Sequence, residues 1–87
     1  MHEVELSPRA QRLLTKLDAT IQARIEKRLM RLKQTPVPSD AKCIGRQDND
    51  NIFRYRIGRY RVLYTINPGQ RLIIVHKIEK RSRVYQP

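Results

Sequence analysis

Residues 2–6, HEVEL, alternate polar and apolar side chains, the period of two expected of a strand with one buried face. Ser7 and Pro8 then open a helix. A hydroxyl at the N-cap accepts from an unpaired first-turn N–H, and proline at the first helical position gives up a donor that has no partner there. Ala10, Leu13, Leu14 and Leu17 follow at helical spacing and form one apolar stripe. Asp18 or Thr20 is placed to cap a second helix, with the stripe Ile21, Ile25, Leu29 and Leu32. Arg24, Lys27, Arg28 and Arg31 lie between these positions. The stretch TPVPSD at 35–40 ends this helix, because proline cannot donate to the preceding turn. So short a link between the two helices predicts an antiparallel hairpin.

Beyond residue 40 the pattern changes from helical to alternating. Residues 41–46 read as a short strand, and 47–51, QDNDN, as a polar turn cluster. Residues 52–57 put Ile52, Arg54 and Arg56 on one face and Phe53, Tyr55 and Ile57 on the other. Gly58 and Arg59 make a tight turn into the β-prone run 60–66, YRVLYTI. Asn67 to Gln70 form another turn, and residues 71–78, with the apolar centre LIIV, form the last strand. The expected fold is α+β with the order β-α-α-β-β-β. Its N-terminal helical hairpin packs on a mainly antiparallel, twisted sheet, in one domain spanning residues 1–87.

Charge adds what the pattern cannot. The 87 residues hold 19 Lys and Arg against 8 Asp and Glu, a formal balance of +11. Residues 52–87 hold nine of the basic and one of the acidic groups, a local balance of +8. Such a region suits a polyanion. A charge-rich thermophile-like surface would carry both signs in similar number, which this chain does not. The basic residues follow a strand pattern and not the face of an amphipathic helix, which argues against a membrane partner. The single cysteine, Cys43, leaves no intramolecular disulfide, and His2 and His76 have no companions at metal-ligand spacing. No metal and no cofactor are expected. Neither a signal peptide nor a membrane-length apolar run is visible, so a cytoplasmic location is expected.

Two stretches concentrate the chemistry, residues 53–64 (FRYRIGRYRVLY) and 75–85 (VHKIEKRSRVY). Arg54 and Arg56 share a strand face, and the hairpin can bring Arg61 beside them. Three guanidiniums there would neutralise phosphates and stabilise the charge of a phosphoryl-transfer transition state. Arg81 and Tyr85 follow the last strand. A Tyr among several Arg can have its phenolate favoured and so act as acid or base. Lys77, Lys80 and Arg83 read as general phosphate attraction. Tyr55, Tyr60 and Tyr64 read as sheet-packing residues, Arg59 as a turn residue, and His76 as a packed strand residue.

The segment RYRIGRYRVLY resembles the central hairpin of RelE/ParE toxins, and HKIEKRSRVY resembles that family's closing strand and tail. The resemblance covers nearly the whole chain and implies a toxin silenced by a RelB-like antitoxin. RelE-like members enter the ribosomal A site and cleave mRNA, through attack of a ribose 2′-OH on the adjacent phosphate. By resemblance, Arg61 is the phosphate stabiliser. Arg81 acts at the transition state or leaving group, Tyr85 is the candidate base, and Arg54 and Arg56 hold the backbone. Arg–Tyr spacing in the tail varies within the family, so Arg83 or Lys80 is the alternative to Arg81. Two features depart from the family pattern: Gly58-Arg59 stands where Gly-Asp is common, and with two residues after Tyr85 no C-terminal helix is expected. Two other readings of the same scaffold are a ParE-like poison of DNA gyrase and a non-catalytic ribosome- or RNA-binding module.

Overall fold

The computed structural model describes residues 1–80; the tail residues Arg81, Arg83 and Tyr85 lie outside the described residues. Along the chain run β1 (Glu3–Leu6), α1 (Pro8–Thr15), α2 (Ala19–Arg31), β2 (Ala41–Gln47), β3 (Asp50–Ile57), β4 (Tyr60–Asn67) and β5 (Leu72–Lys80). The strands form one sheet in the order β1-β5-β4-β3-β2. β1 is parallel to β5, and every other neighbouring pair is antiparallel. The α+β reading holds. Four strands follow the helices, because residues 41–47 pair with β3 along their length, apart from one bulged residue.

Each turn follows from its residues. Asp48 (φ 51°) and Asn49 (φ 72°) both take left-handed backbone, which a two-residue I′ hairpin requires and which Asp and Asn tolerate. Gly58 (φ 59°) opens the β3–β4 turn. Arg71, read from sequence as the first residue of the last strand, is instead left-handed (φ 52°) and turns the chain into β5. Its carbonyl accepts from the Glu3 N–H at 2.9 Å, which seats β1.

The helices cover one face of the sheet. Ala10 and Leu14 from α1, with Ile25, Leu29 and Leu32 from α2 and its C-cap, meet Phe53, Tyr55, Ile57, Val62, Tyr64, Ile73, Val75 and Ile78. The aromatic centre is compact. Phe53 stacks on Tyr64 with centroids 5.4 Å apart, and Tyr55 meets Tyr64 edge-on at 6.4 Å. Tyr55 and Tyr64 are therefore core residues, as their strand positions suggested.

Two one-residue bulges interrupt the ladders. Cys43 faces Phe53 and Gly45 faces Ile52, which leaves Ile44 as an extra residue on β2. Leu63 faces Lys77 and Tyr64 faces Val75, which leaves His76 extra on β5. The second bulge overturns the reading of His76 as a packed residue: its side chain is exposed, with Nε2 2.9 Å from Thr65 Oγ1. Ser7 satisfies the backbone there. Its Oγ accepts from the Ala10 N–H at 3.1 Å as the α1 N-cap and donates to the His76 carbonyl at 2.8 Å, while its N–H donates to the Val75 carbonyl at 2.8 Å. α2 is capped by Asp18, whose Oδ1 accepts from the Thr20 and Ile21 N–H groups.

Ser7→Ala removes a helix cap and the partner of the bulge carbonyl together. The expected loss is about 1–3 kcal/mol, above the ~1 kcal/mol of an ordinary cap. Urea denaturation with an unchanged m-value measures it. A midpoint equal to that of the parent protein would show that Ser7 is not the joint between α1 and β5.

Candidate nucleic-acid interface

Cross-strand partners share a face of a sheet, so the register fixes which cations meet. Lys42 faces Arg54 across β2–β3, Arg56 faces Arg61 across β3–β4, and Leu63 faces Lys77 across β4–β5. The residues between them, Phe53, Tyr55, Ile57, Val62 and Tyr64, are in the core. Lys42, Arg54, Arg56, Arg61 and Lys77 therefore lie together on the face opposite the helices. The sequence reading brought Arg54, Arg56 and Arg61 together and added Lys77. It missed Lys42, whose side of the sheet depends on the bulge at Ile44. An unbulged register would pair residue 42 with Tyr55 and turn it into the core.

The face has two parts. At the β5 side, Glu79 lies 3.1 Å from Lys77 Nζ and 3.7 Å from Arg61 Nε, so one carboxylate serves two cations. At the β2–β3 side, Lys42, Arg54 and Arg56 have no carboxylate within ion-pair distance among the described residues. These three, with Ser39 and Asp40, line an open cavity of about 280 Å³. Lys80 is elsewhere. It pairs with Tyr60, on the helix side of the sheet, and borders a separate groove with Arg24, Gly58 and Arg59. Among the described residues no three His, Cys, Asp or Glu side chains converge as a metal site would need.

Asp40 touches the cavity but is bonded away from it. Its Oδ2 accepts from Arg28 at 2.8 Å. The same guanidinium donates through Nε to the Tyr55 hydroxyl at 3.0 Å and lies 5.2 Å from that ring's centroid. The terminal nitrogen that donates to Asp40, Nη2, also comes within 3.5 Å of the Arg56 carbonyl. Arg28 holds its proton more tightly than usual, first through the Tyr55 hydrogen bond; burial, next in size, opposes this, and the charges of Tyr55 and Asp40 and the Asp40 hydrogen bond add smaller contributions. From sequence Arg28 reads only as one of four cations between the stripe positions of α2. The only hint is its position on the flank of the stripe, three residues after Ile25.

The loop before β2 is anchored from below. The Tyr64 hydroxyl donates to the Pro36 carbonyl at 2.7 Å. Burial pushes the Tyr64 phenol far above its ordinary value, with smaller contributions from the charges of Tyr55 and Asp40. As a proton donor in that bond, Tyr64 works only in its neutral form.

Two helices over a five-stranded sheet whose other face is a cationic plate define the RelE-like class of small α+β domain. Residues 4–85 match the family described as the ParE toxin of type II toxin–antitoxin systems, parDE. The chain is 31% identical over 84 residues to RelE1, a toxin candidate of Methanocaldococcus jannaschii, covering 95% of this chain and 93% of that protein. In structure it is similar to a chain of the archaeal RelE–RelB complex from Pyrococcus horikoshii OT3, with TM-score 0.87, 24% identity, and 95% and 98% of the two chains covered. It is also similar to a chain of the RelBE2 toxin–antitoxin complex of Mycobacterium tuberculosis, with TM-score 0.77, 26% identity, and 92% and 98% covered. The chain belongs to the ParE toxin family, within the RelE/ParE superfamily of type II toxin–antitoxin toxins.

The raised Tyr64 pKa has a signed consequence. The folded state holds this proton more tightly than the unfolded chain, so the stabilisation is complete below the unfolded value near ~10 and is lost as pH rises through the folded value. Stability should therefore hold up to about pH 10 and fall as pH rises beyond it. Tyr64→Phe should cost roughly 1–2 kcal/mol near neutrality, since Pro36 loses its donor, and should flatten that decline. Parallel alkaline declines in the two proteins, followed by urea midpoints, would contradict the assignment.

Proposed function

We propose that this toxin acts as a ribosome-dependent mRNA endoribonuclease in the cytoplasm, cleaving mRNA in the A site without a metal ion and so arresting translation. The observation that carries this reading is the collection of Lys42, Arg54, Arg56 and Arg61 on one uncovered face, three of them without a carboxylate partner among the described residues. Guanidiniums pair with phosphate oxygens through two hydrogen bonds, so Arg54 and Arg56 would grip the RNA backbone. Arg61, directly across from Arg56, would stabilise the phosphorane-like charge as the 2′ oxygen bonds to phosphorus and the bond to the 5′ oxygen breaks. The products are a 2′,3′-cyclic phosphate and a 5′-hydroxyl. Tyr85 is proposed to take the 2′-OH proton. Arg81 is proposed to stabilise the departing 5′ oxygen, with Arg83 or Lys80 as the alternative. Lys77 and Arg83 add general attraction. Lys80, on the other side of the sheet, reaches the RNA only if the strand turns over at its end.

A RelB-like antitoxin is the proposed partner. The archaeal and mycobacterial relatives named above were each solved in toxin–antitoxin complexes, and a +11 chain suits an acidic one. A second reading has one observation in its favour, because the matching family is named for ParE. On that reading the chain poisons DNA gyrase and leaves RNA intact.

Cell-free translation with mapping of mRNA 5′ ends separates the two. New ends inside codons, present only with ribosomes, are expected; intact mRNA with inhibited supercoiling would favour gyrase. Arg61→Ala should lower turnover by about 10²-fold or more, with a much smaller loss of ribosome binding, because the charge it meets develops in the transition state. Arg54→Ala should weaken binding at least as much as turnover. Tyr85→Phe should lose cleavage and keep binding, and a fully active Tyr85→Phe would remove Tyr85 from the chemistry.

A further inference from the structure

The cavity on the β2–β3 side holds an apparent contradiction: its lining includes a carboxylate, Asp40, among three cations. An acid there would repel a phosphate and compete for the same guanidiniums. Yet Asp40 is within ion-pair distance of none of Lys42, Arg54 and Arg56, and its one partner among the described residues, Arg28, comes from the helix layer on the other side of the sheet edge. Ser39 and Asp40 also border a second groove, on the helix side, together with Arg28 and Tyr55. The loop thus stands between two grooves, and its acid is drawn towards the helix side.

Arg28 is built for this task more than for stability. Half-exposed ion pairs contribute little to folding, and the side-chain exposures here are 27% and 52%. What distinguishes Arg28 is that two sides of one planar group are used. Nε is fixed on the hydroxyl of the buried Tyr55, the plane lies near that ring, and a terminal nitrogen is left to hold Asp40. The rigid fork of arginine allows both bonds in one orientation. Tyr55 also connects the two sides of the sheet. Its ring is in the core, while its chain neighbours Arg54 and Arg56 are on the cationic face.

We propose that Arg28 is a positioning residue for the RNA site: it holds the Asp40 carboxylate on the helix side of the loop, so that Lys42, Arg54 and Arg56 meet an RNA phosphate with their charge undivided. This rests on the RNA reading above. Arg28 touches no RNA in this arrangement. Removing it releases Asp40 to turn into the cavity and neutralise one of the three cations, and RNA binding then behaves as though one phosphate contact were lost.

The test uses the full chain and a single-stranded RNA oligonucleotide with 2′-O-methyl sugars, which cannot be cut by 2′-OH attack. Fluorescence anisotropy across a salt series gives affinity and salt slope. Arg28→Gln should bind roughly three- to tenfold more weakly, with a slope shallower by about 0.7, the share of one phosphate on a single strand. Asp40→Asn alone should stay within about twofold of the parent, and Arg28→Gln with Asp40→Asn should return affinity and slope to the parent values. A purely structural Arg28 would not be rescued by removing the acid it binds. Thermal melts verify folding, and Arg28→Met, which keeps the stem beside Tyr55, replaces Arg28→Gln if the latter melts below assay temperature. The proposal is overturned if the double variant binds no better than the single one, if the slope does not change, or if Asp40→Asn alone strengthens binding by more than about threefold, because Asp40 would then already act on the cavity. A parent protein with no salt-dependent affinity for RNA would overturn the RNA reading itself, a result distinguishable from all of these.

Discussion

Strand parity is the constraint on which the molecule depends. Along β3 every odd residue from Phe53 to Ile57 enters the core, and the even residues between them, Arg54 and Arg56, are carried to the opposite face. Burial of the aromatic centre therefore fixes the side on which the cations stand. A slip of one residue would place guanidiniums among Leu29, Tyr64 and Val75, where an unpaired charge costs several kcal/mol. The hydrophobic core and the cationic plate are two results of one register.

The bulges modify that parity where it would give the wrong outcome. Ile44 as an extra residue moves Lys42 from the core side to the cationic side, and His76 as an extra residue allows both Lys77 and Ile78 to occupy suitable environments on one strand. A bulge needs its unpaired backbone groups satisfied, and on β5 this is done by Ser7, the residue that also starts α1. The helical layer is thus tied to the sheet at the irregularity that sets the sheet's charge pattern. α2 is tied at the opposite edge through Arg28, Tyr55 and Asp40.

The fold was largely legible because its signals are local. Ser7-Pro8, the Leu and Ile stripes, the prolines at 36 and 38, and the alternation from Ile52 to Ile57 each report on neighbours a few residues away. The cluster of Arg54, Arg56 and Arg61 was legible for the same reason, since one tight turn at Gly58 connects them. What escaped depends on pairing between distant strands. Lys42 and His76 change face through bulges that leave no periodic trace, and the partner of Arg28 is a loop acid twelve residues away. Glu79 is visible as the lone acid of the C-terminal region, but that it serves both Arg61 and Lys77 follows only from the β4–β5 register. The tail residues Arg81, Arg83 and Tyr85 lie outside the described residues, so their roles rest on the family resemblance alone.

The direct opposition of Arg56 and Arg61 reaches beyond binding. Like charges facing one another across an antiparallel ladder work against the hairpin that carries them, and Glu79 offsets this from one side only. The empty toxin therefore carries a built-in penalty that any bound polyanion relieves, and occupancy and folding become thermodynamically coupled. Selection for a sturdier fold alone would replace one of these arginines early. At this one pair, robustness of the fold and density of positive charge pull against each other.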